Sequence, residues 1–213
     1  MTGKSDKLIS LLGDQKVIPV LMVKEAAQAV PLARALAKGG LRMIEITLRT
    51  SAALEAIRRV AGEVEDAVVG AGTVLNPAQF EEAAEAGSKF IVSPGLTDRL
   101  LSAAADSDVP LLPGTITPGE IMTALEAGID FVKFFPAQQA GGATFLRALA
   151  SPLAGARFCP TGGISAANAG EYLALPNVAC VGGSWVAPDE LVREGKWEAI
   201  EALAREANGL KAA

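Results

Sequence analysis

Lys133 lies inside an apolar run, FVKFFPA, with Phe131, Val132, Phe134 and Phe135 around it. An ammonium in such surroundings costs free energy unless it has a partner or a task. Desolvation disfavours its charged form and leaves an amine able to attack a ketone, the opening step of Schiff-base chemistry. The blander alternative is a lysine that reaches the rim of the fold and pairs with a carboxylate there. The remaining lysines stand near the N-terminus, in helical stretches or at strand starts; Lys89 opens a strand-like run and so belongs at its far end. A second charged residue inside an apolar run is Glu45, in MIEITLRT. If Glu45 and Lys133 both point inward they can meet, as a structural ion pair or as a nucleophile with its proton shuttle. An ionised Glu45 would favour the ammonium and oppose desolvation, and the sequence leaves that balance open.

Further polar groups gather where apolar runs end. Arg49, just past MIEIT, offers a planar fork that matches a carboxylate, or else is a surface arginine in a turn. Thr73 ends GAGT with a hydroxyl, behind glycines that allow close backbone approach. The run has one glycine too few for a dinucleotide fingerprint. Two Gly-Gly pairs follow the last two strand-like runs, in CPTGGIS (Thr161, Gly162, Gly163) and VGGSW (Gly183, Ser184). Backbone N–H groups in such loops bind phosphate in many α/β barrels; the alternative is a pair of tight turns. Backbone donors would reconcile an anionic substrate with a chain of net charge −5.

Composition removes whole classes of chemistry. The chain has no histidine, which excludes Ser-His-Asp and Cys-His nucleophile systems and nearly all zinc catalysis. No basic patch suggests nucleic acid. Cys159 and Cys180 sit in apolar runs and read as reduced core thiols. No apolar stretch is long enough to span a membrane, so no membrane partner and a cytoplasmic location are expected.

The elements that must position these residues alternate along 213 residues, half of them hydrophobic. Strand-like runs cover 17–23, 42–47, 67–73, 89–94, 109–114, 131–136, 156–163 and 178–184. They read as continuous apolar stretches, as strands buried on both faces do. Helical segments at 25–40, 76–88 and 117–129 separate some of them and stop at glycine. Eight such units in one domain predict a (β/α)8 barrel, with an open doubly wound sheet as the alternative. Residues 5–13 form a short helix over the bottom of the barrel in this reading. Active sites of barrels lie at the C-terminal strand ends, where the residues above stand.

Six ordered blocks, EITLRT (45–50), GAGTVLNP (70–77), SPGLT (93–97), VKFFPA (132–137), RFCPTGGI (157–164) and GGSW (182–185), resemble the 2-keto-3-deoxy-6-phosphogluconate (KDPG) aldolase family, which includes the 4-hydroxy-2-oxoglutarate (KHG) aldolases. The similarity runs from about residue 14 to residue 206. It implies a class I aldolase barrel in which Lys133 forms the Schiff base and Glu45 acts as general acid and base, through a water. Arg49 and Thr73 would bind the pyruvate carboxylate, and Pro94 and Phe135 would wall the pyruvate pocket. Thr161, Gly162, Gly163, Gly183 and Ser184 would hold the distal phosphate, with Thr161 helping to hold the gluconate-type substrate. It further implies pyruvate and a phosphorylated keto acid as ligands, a homotrimer, and no metal or organic cofactor. The segment PGTITPGE (113–120) receives no role. Two other readings stay open on the residues alone: a sugar-phosphate isomerase with a glutamate base and no covalent lysine, and a barrel without activity.

Overall fold

The computed structural model describes residues 3–210. Its strands are β1 (Val17–Leu21), β2 (Met43–Thr47), β3 (Val68–Gly72), β4 (Ile91–Val92), β5 (Leu111–Leu112), β6 (Gly114–Thr115), β7 (Phe131–Phe134), β8 (Arg157–Pro160) and β9 (Val181–Gly183). Every pairing is parallel. Six strands form one sheet in the order β5-β4-β3-β2-β1-β9, and three form another, β6-β7-β8. The seams between the two have identifiable causes. β5 and β6 are successive pieces of the fifth predicted strand, split at Pro113, which has no N–H to give a ladder. The chain pairs with β4 before this proline and with β7 after it. At the other seam, β8 meets the approach to β9 through the isolated bridges Phe158↔Val178 and Thr161↔Gly182. Backbone hydrogen bonds accompany them, Phe158 N to Asn177 O at 2.8 Å and Ala179 N to Phe158 O at 3.0 Å.

The expected segments are present with trimmed ends. The helix expected at 5–13 is α1 (Lys4–Leu12); those expected at 25–40, 76–88 and 117–129 are α2 (Ala26–Lys38), α4 (Pro77–Glu85) and α6 (Pro118–Glu126). Also present are α3 (Ala53–Glu63), α5 (Asp98–Ala105), α7 (Gly142–Leu149), α8 (Ala169–Leu173), α9 (Asp189–Arg193) and α10 (Trp197–Asn208). The fourth strand shrinks from 89–94 to Ile91–Val92, because the residues beyond it turn at Pro94 and Gly95. Helix starts follow local chemistry. Asn76 and Thr97 accept backbone N–H bonds at the heads of α4 and α5. Thr117 and Glu120 make a reciprocal capping box on α6. Burial draws the Glu120 pKa up, but hydrogen bonds from the Thr117 and Ile116 backbone and the Thr117 hydroxyl outweigh it and leave the carboxyl below its usual range. Among the described residues no helix is long and apolar enough to cross a membrane.

Two apolar clusters sit on the two faces of the strands. The larger one packs Ile44, Ile46, Val69, Ile91, Val132, Phe134 and Phe158 against the helices. The smaller one gathers alternate residues, among them Ile18, Met43, Phe90, Val92, Leu112 and Phe131, and α1 closes it with Leu8 and Leu12. This is why the strands read as unbroken apolar runs: β2 and β7 are buried at every position. The two-residue period of a strand then decides the site. Stepping up from Met43 and Phe131, the next side chains on the same face are Glu45 and Lys133, and the next are Thr47 and Phe135. Cys159 and Cys180 belong to this smaller cluster and are both free. The hydrogen bond with Cys159, reinforced by burial, pushes the Cys180 thiol well above its usual pKa, so it remains a neutral core side chain.

Candidate active site

Lys133 and Glu45 meet. Lys133 Nζ lies 3.5 Å from Glu45 Oε1, with side-chain exposures of 7% and 4%. The partners come from strands of the two different sheets, and they touch because each lies two residues beyond a member of the smaller cluster, Met43 and Phe131. Lys133 Nζ also stands 5.2 Å from the centre of the Phe135 ring, a cation–π distance. Glu45 Oε1 is buried, and among the described residues it has no hydrogen-bond partner. A buried carboxylate oxygen left so, with Lys133 Nζ beside it, has the geometry that proton transfer between the two groups would need.

Around this pair the strand ends build the rim. Arg49, exposed just past β2, donates from Nε to Thr73 Oγ1 at 3.2 Å. Thr73 has a φ of 60°, a left-handed backbone that a β-branched residue rarely adopts, and this turn brings its hydroxyl to the guanidinium. The Arg49 terminal nitrogens remain for an anion. Pro94 is joined to the lysine through a neighbouring strand. A methyl group on Gly114 would overlap the Pro94 carbonyl, and Gly114 is the register partner of Lys133.

A cleft of about 310 Å³ opens beside Phe135 and runs along Arg49, Thr161, Gly162, Gly163, Gly183 and Ser184. That volume suits a small metabolite. Gly162 and Gly163 hold φ values of 100° and 72°, open to glycine and strained for other residues. Their loop is fastened from behind. Ala137 N and Gln138 N donate to Thr161 O and Gly162 O at 2.8 and 3.0 Å. Asn168 bridges Ser165 N and Gly163 O. Tyr172 donates to Gln138 Oε1 at 2.7 Å; burial, with the Glu171 charge, pushes its phenol pKa up and keeps it a donor. With the carbonyls occupied on that side, no acceptor among the described residues reaches the N–H groups of Gly162, Gly163 or Ile164. Unpartnered backbone N–H groups in such a loop suit a phosphate. Lys133, Glu45, Thr73 and Pro94 do not line this cleft, but two residues that do, Phe135 and Arg49, stand beside Lys133 and Thr73 respectively. A larger groove of about 450 Å³ lies between α5 and the end of α6, where Lys4 donates to Ala104 O and Ala105 O. No residue of the proposed chemistry borders it.

The family model for KDPG and KHG aldolase matches residues 8–203. The chain belongs to the KDPG and KHG aldolase family. It is 51% identical to the KHG/KDPG aldolase of Escherichia coli strain K12 over 93% of each chain. Two solved structures of KDPG aldolases superpose closely. That from Zymomonas mobilis, with 3-phosphoglycerate, has a TM-score of 0.92 at 46% identity over 98% of each chain. That from Legionella pneumophila, with pyruvate captured as a covalent carbinolamine, has a TM-score of 0.91 at 43% identity over 94% of this chain and 97% of that one.

Three residues of this family member escaped the sequence reading. Thr47, two residues beyond Glu45, lines the cleft and donates to Leu21 O at 2.9 Å; its place on the same strand face was the available signal. Gly182 lines it too and leaves room for Thr161, whose hydroxyl a methyl group there would overlap. Asp189, on the rim, pairs with Lys24 at 2.7 Å, and an aspartate opening a short helix gave no hint of it.

Loss of the Arg49 fork gives a test of the rim. Arg49→Ala is expected to raise KM for the keto acid by about 10- to 100-fold, the worth of a charge-assisted hydrogen bond or two, with kcat changed far less. Arg49→Lys restores the charge without the fork and should recover only part of the loss. Steady-state kinetics separate this from a surface role, which would leave KM unmoved.

Proposed function

We propose that this chain is a class I aldolase, a carbon–carbon lyase that cleaves 2-dehydro-3-deoxy-6-phospho-D-gluconate reversibly to pyruvate and D-glyceraldehyde 3-phosphate, the aldolase step of the Entner-Doudoroff pathway. One observation carries the reading: in a member of this family, a buried lysine and a buried carboxylate face each other at 3.5 Å. The pyruvate carbinolamine of the Legionella relative supports the covalent route. In this mechanism the Lys133 amine attacks the substrate ketone and, with loss of water, gives a protonated imine. Glu45, directly or through a water, takes the proton of the C4 hydroxyl. The C3–C4 electron pair passes into the imine as an enamine, and glyceraldehyde 3-phosphate leaves. Protonation of the enamine carbon and hydrolysis of the imine then release pyruvate and restore the amine.

Arg49 and Thr73 bind the carboxylate end, Pro94 and Phe135 wall the reacting carbons, and Thr161, Gly162, Gly163, Gly183 and Ser184 take the phosphate. 4-Hydroxy-2-oxoglutarate shares the reacting end and lacks the phosphate, so it enters the reading as a second substrate, split to pyruvate and glyoxylate. We read the two sheets as one closed (β/α)8 barrel in a single domain. The continuity of β5 with β6 across Pro113 and the bridges from β8 to β9 support that ring. A cytoplasmic homotrimer completes the proposal.

An assay that couples released pyruvate to lactate dehydrogenase tests it. KDPG should yield pyruvate with a kcat on the order of 1–10³ s⁻¹. Conversion of the sugar acid into an isomer, without pyruvate, would contradict the proposal.

A further inference from the structure

We propose that Gly72 is a positioning residue for the reaction: the side-chain space it leaves open is the slot that houses the Glu45 carboxylate. β2 and β3 run in register, with Glu45 opposite Gly70 and Thr47 opposite Gly72. A methyl group on Gly72 would overlap Glu45 Oε1 and stand 2.5 and 2.6 Å from its Cδ and Cγ. These three atoms are the nearest the methyl would meet, so the encroachment is on the carboxylate and its stem together. Rotation of the carboxylate alone does not relieve it. The side chain would have to leave its place, and Glu45 Oε1 is the atom 3.5 Å from Lys133 Nζ. Backbone geometry is not the reason for glycine here, because Gly72 is absent from the positive-φ glycines. The requirement is for space. Gly70, one step lower on the same face, serves a different neighbour: its missing side chain admits the Phe90 ring.

The inference rests on Glu45 as the proton-transfer group, and its test separates the two. Gly72→Ala is expected to lower kcat for KDPG cleavage by at least about 100-fold, since a displacement of about an ångström in a reacting group has that effect. KM should stay within about threefold, and borohydride should still fix pyruvate on Lys133. The same substitution in a Glu45→Ala background should cost less than about threefold more, because the group it displaces is gone. An equal loss in both backgrounds, or near-normal kcat in Gly72→Ala, would overturn the proposal. Glu45→Ala alone reads the underlying role: no loss there contradicts Glu45 itself, and the slot with it. Folding offers a second readout through circular dichroism. If Gly72→Ala fails to fold, the double variant should fold, since it removes all three encroaching atoms, and that result supports the slot. Failure of both would place the cause elsewhere and overturn it.

Discussion

Replacement of Lys133 by alanine should lower kcat for KDPG cleavage by at least about 10⁴-fold, the scale seen when a covalent nucleophile is removed. Among the described residues no other lysine pairs with Glu45 or lines the cleft. Lys89 lies at the start of the fourth strand-like run, and Lys4, Lys7 and Lys24 are engaged elsewhere, by backbone carbonyls or by Asp189. Alanine also leaves the Glu45 charge without its partner at 4% exposure, and breaking a buried pair costs stability of about 3–5 kcal/mol. Lys133→Met therefore belongs beside it, since it keeps the length of the side chain and fills the space. Both variants should be inactive in the pyruvate-release assay while circular dichroism reports a folded chain. Either variant retaining more than about a tenth of normal kcat would remove Lys133 from the mechanism.

The second large effect is expected at Glu45. Glu45→Gln keeps the shape and the slot beside Gly72 but cannot accept a proton, so cleavage should fall by about 10²- to 10⁴-fold, the usual contribution of a positioned general base. KM should change little, because Glu45 does not line the cleft proposed for the distal end of the substrate. The pyruvate adduct on Lys133 should still accumulate, and exchange of pyruvate methyl protons with deuterated water should slow in parallel with cleavage. That pairing of losses separates proton transfer from a structural ion pair. A structural partner would disturb the thermal midpoint and spare the exchange rate relative to adduct formation.

Binding an anion in an acidic protein needs local donors, and the molecule provides them without a large charge excess. Arg49 stands at one part of the cleft, and the N–H groups of Gly162, Gly163 and Ile164 at another. Among the described residues, the carboxylate that lines the cleft, Asp189, pairs with Lys24 at 2.7 Å. The net charge of −5 is thus no obstacle, since the fields that matter act over a few ångströms.

What the sequence displayed was the set of residues that break a local rule. Lys133 and Glu45 were visible because charged side chains interrupt apolar strands, whereas their sharing one face depended on both pointing inward, which the sequence left open. The Gly-Gly loops were visible as glycines where strands end. Less was legible where the reason lies in a distant neighbour. Pro113 splits a strand by lacking one N–H, yet within PGTITPGE it gave no sign of which sheet each half would join. Gly70 and Gly72 look alike in GAGT, although one admits Phe90 and the other Glu45. The Lys24–Asp189 pair joins residues at opposite ends of the chain, and neither carries a signal alone.

Incubation with pyruvate and sodium borohydride, followed by intact mass spectrometry and peptide mapping, tests the central claim most directly. Reduction of the imine should add one pyruvyl group per chain, confined to the peptide that contains Lys133. A protein of unchanged mass, or an adduct on another lysine with Lys133 unmodified, would contradict the covalent mechanism proposed for this site.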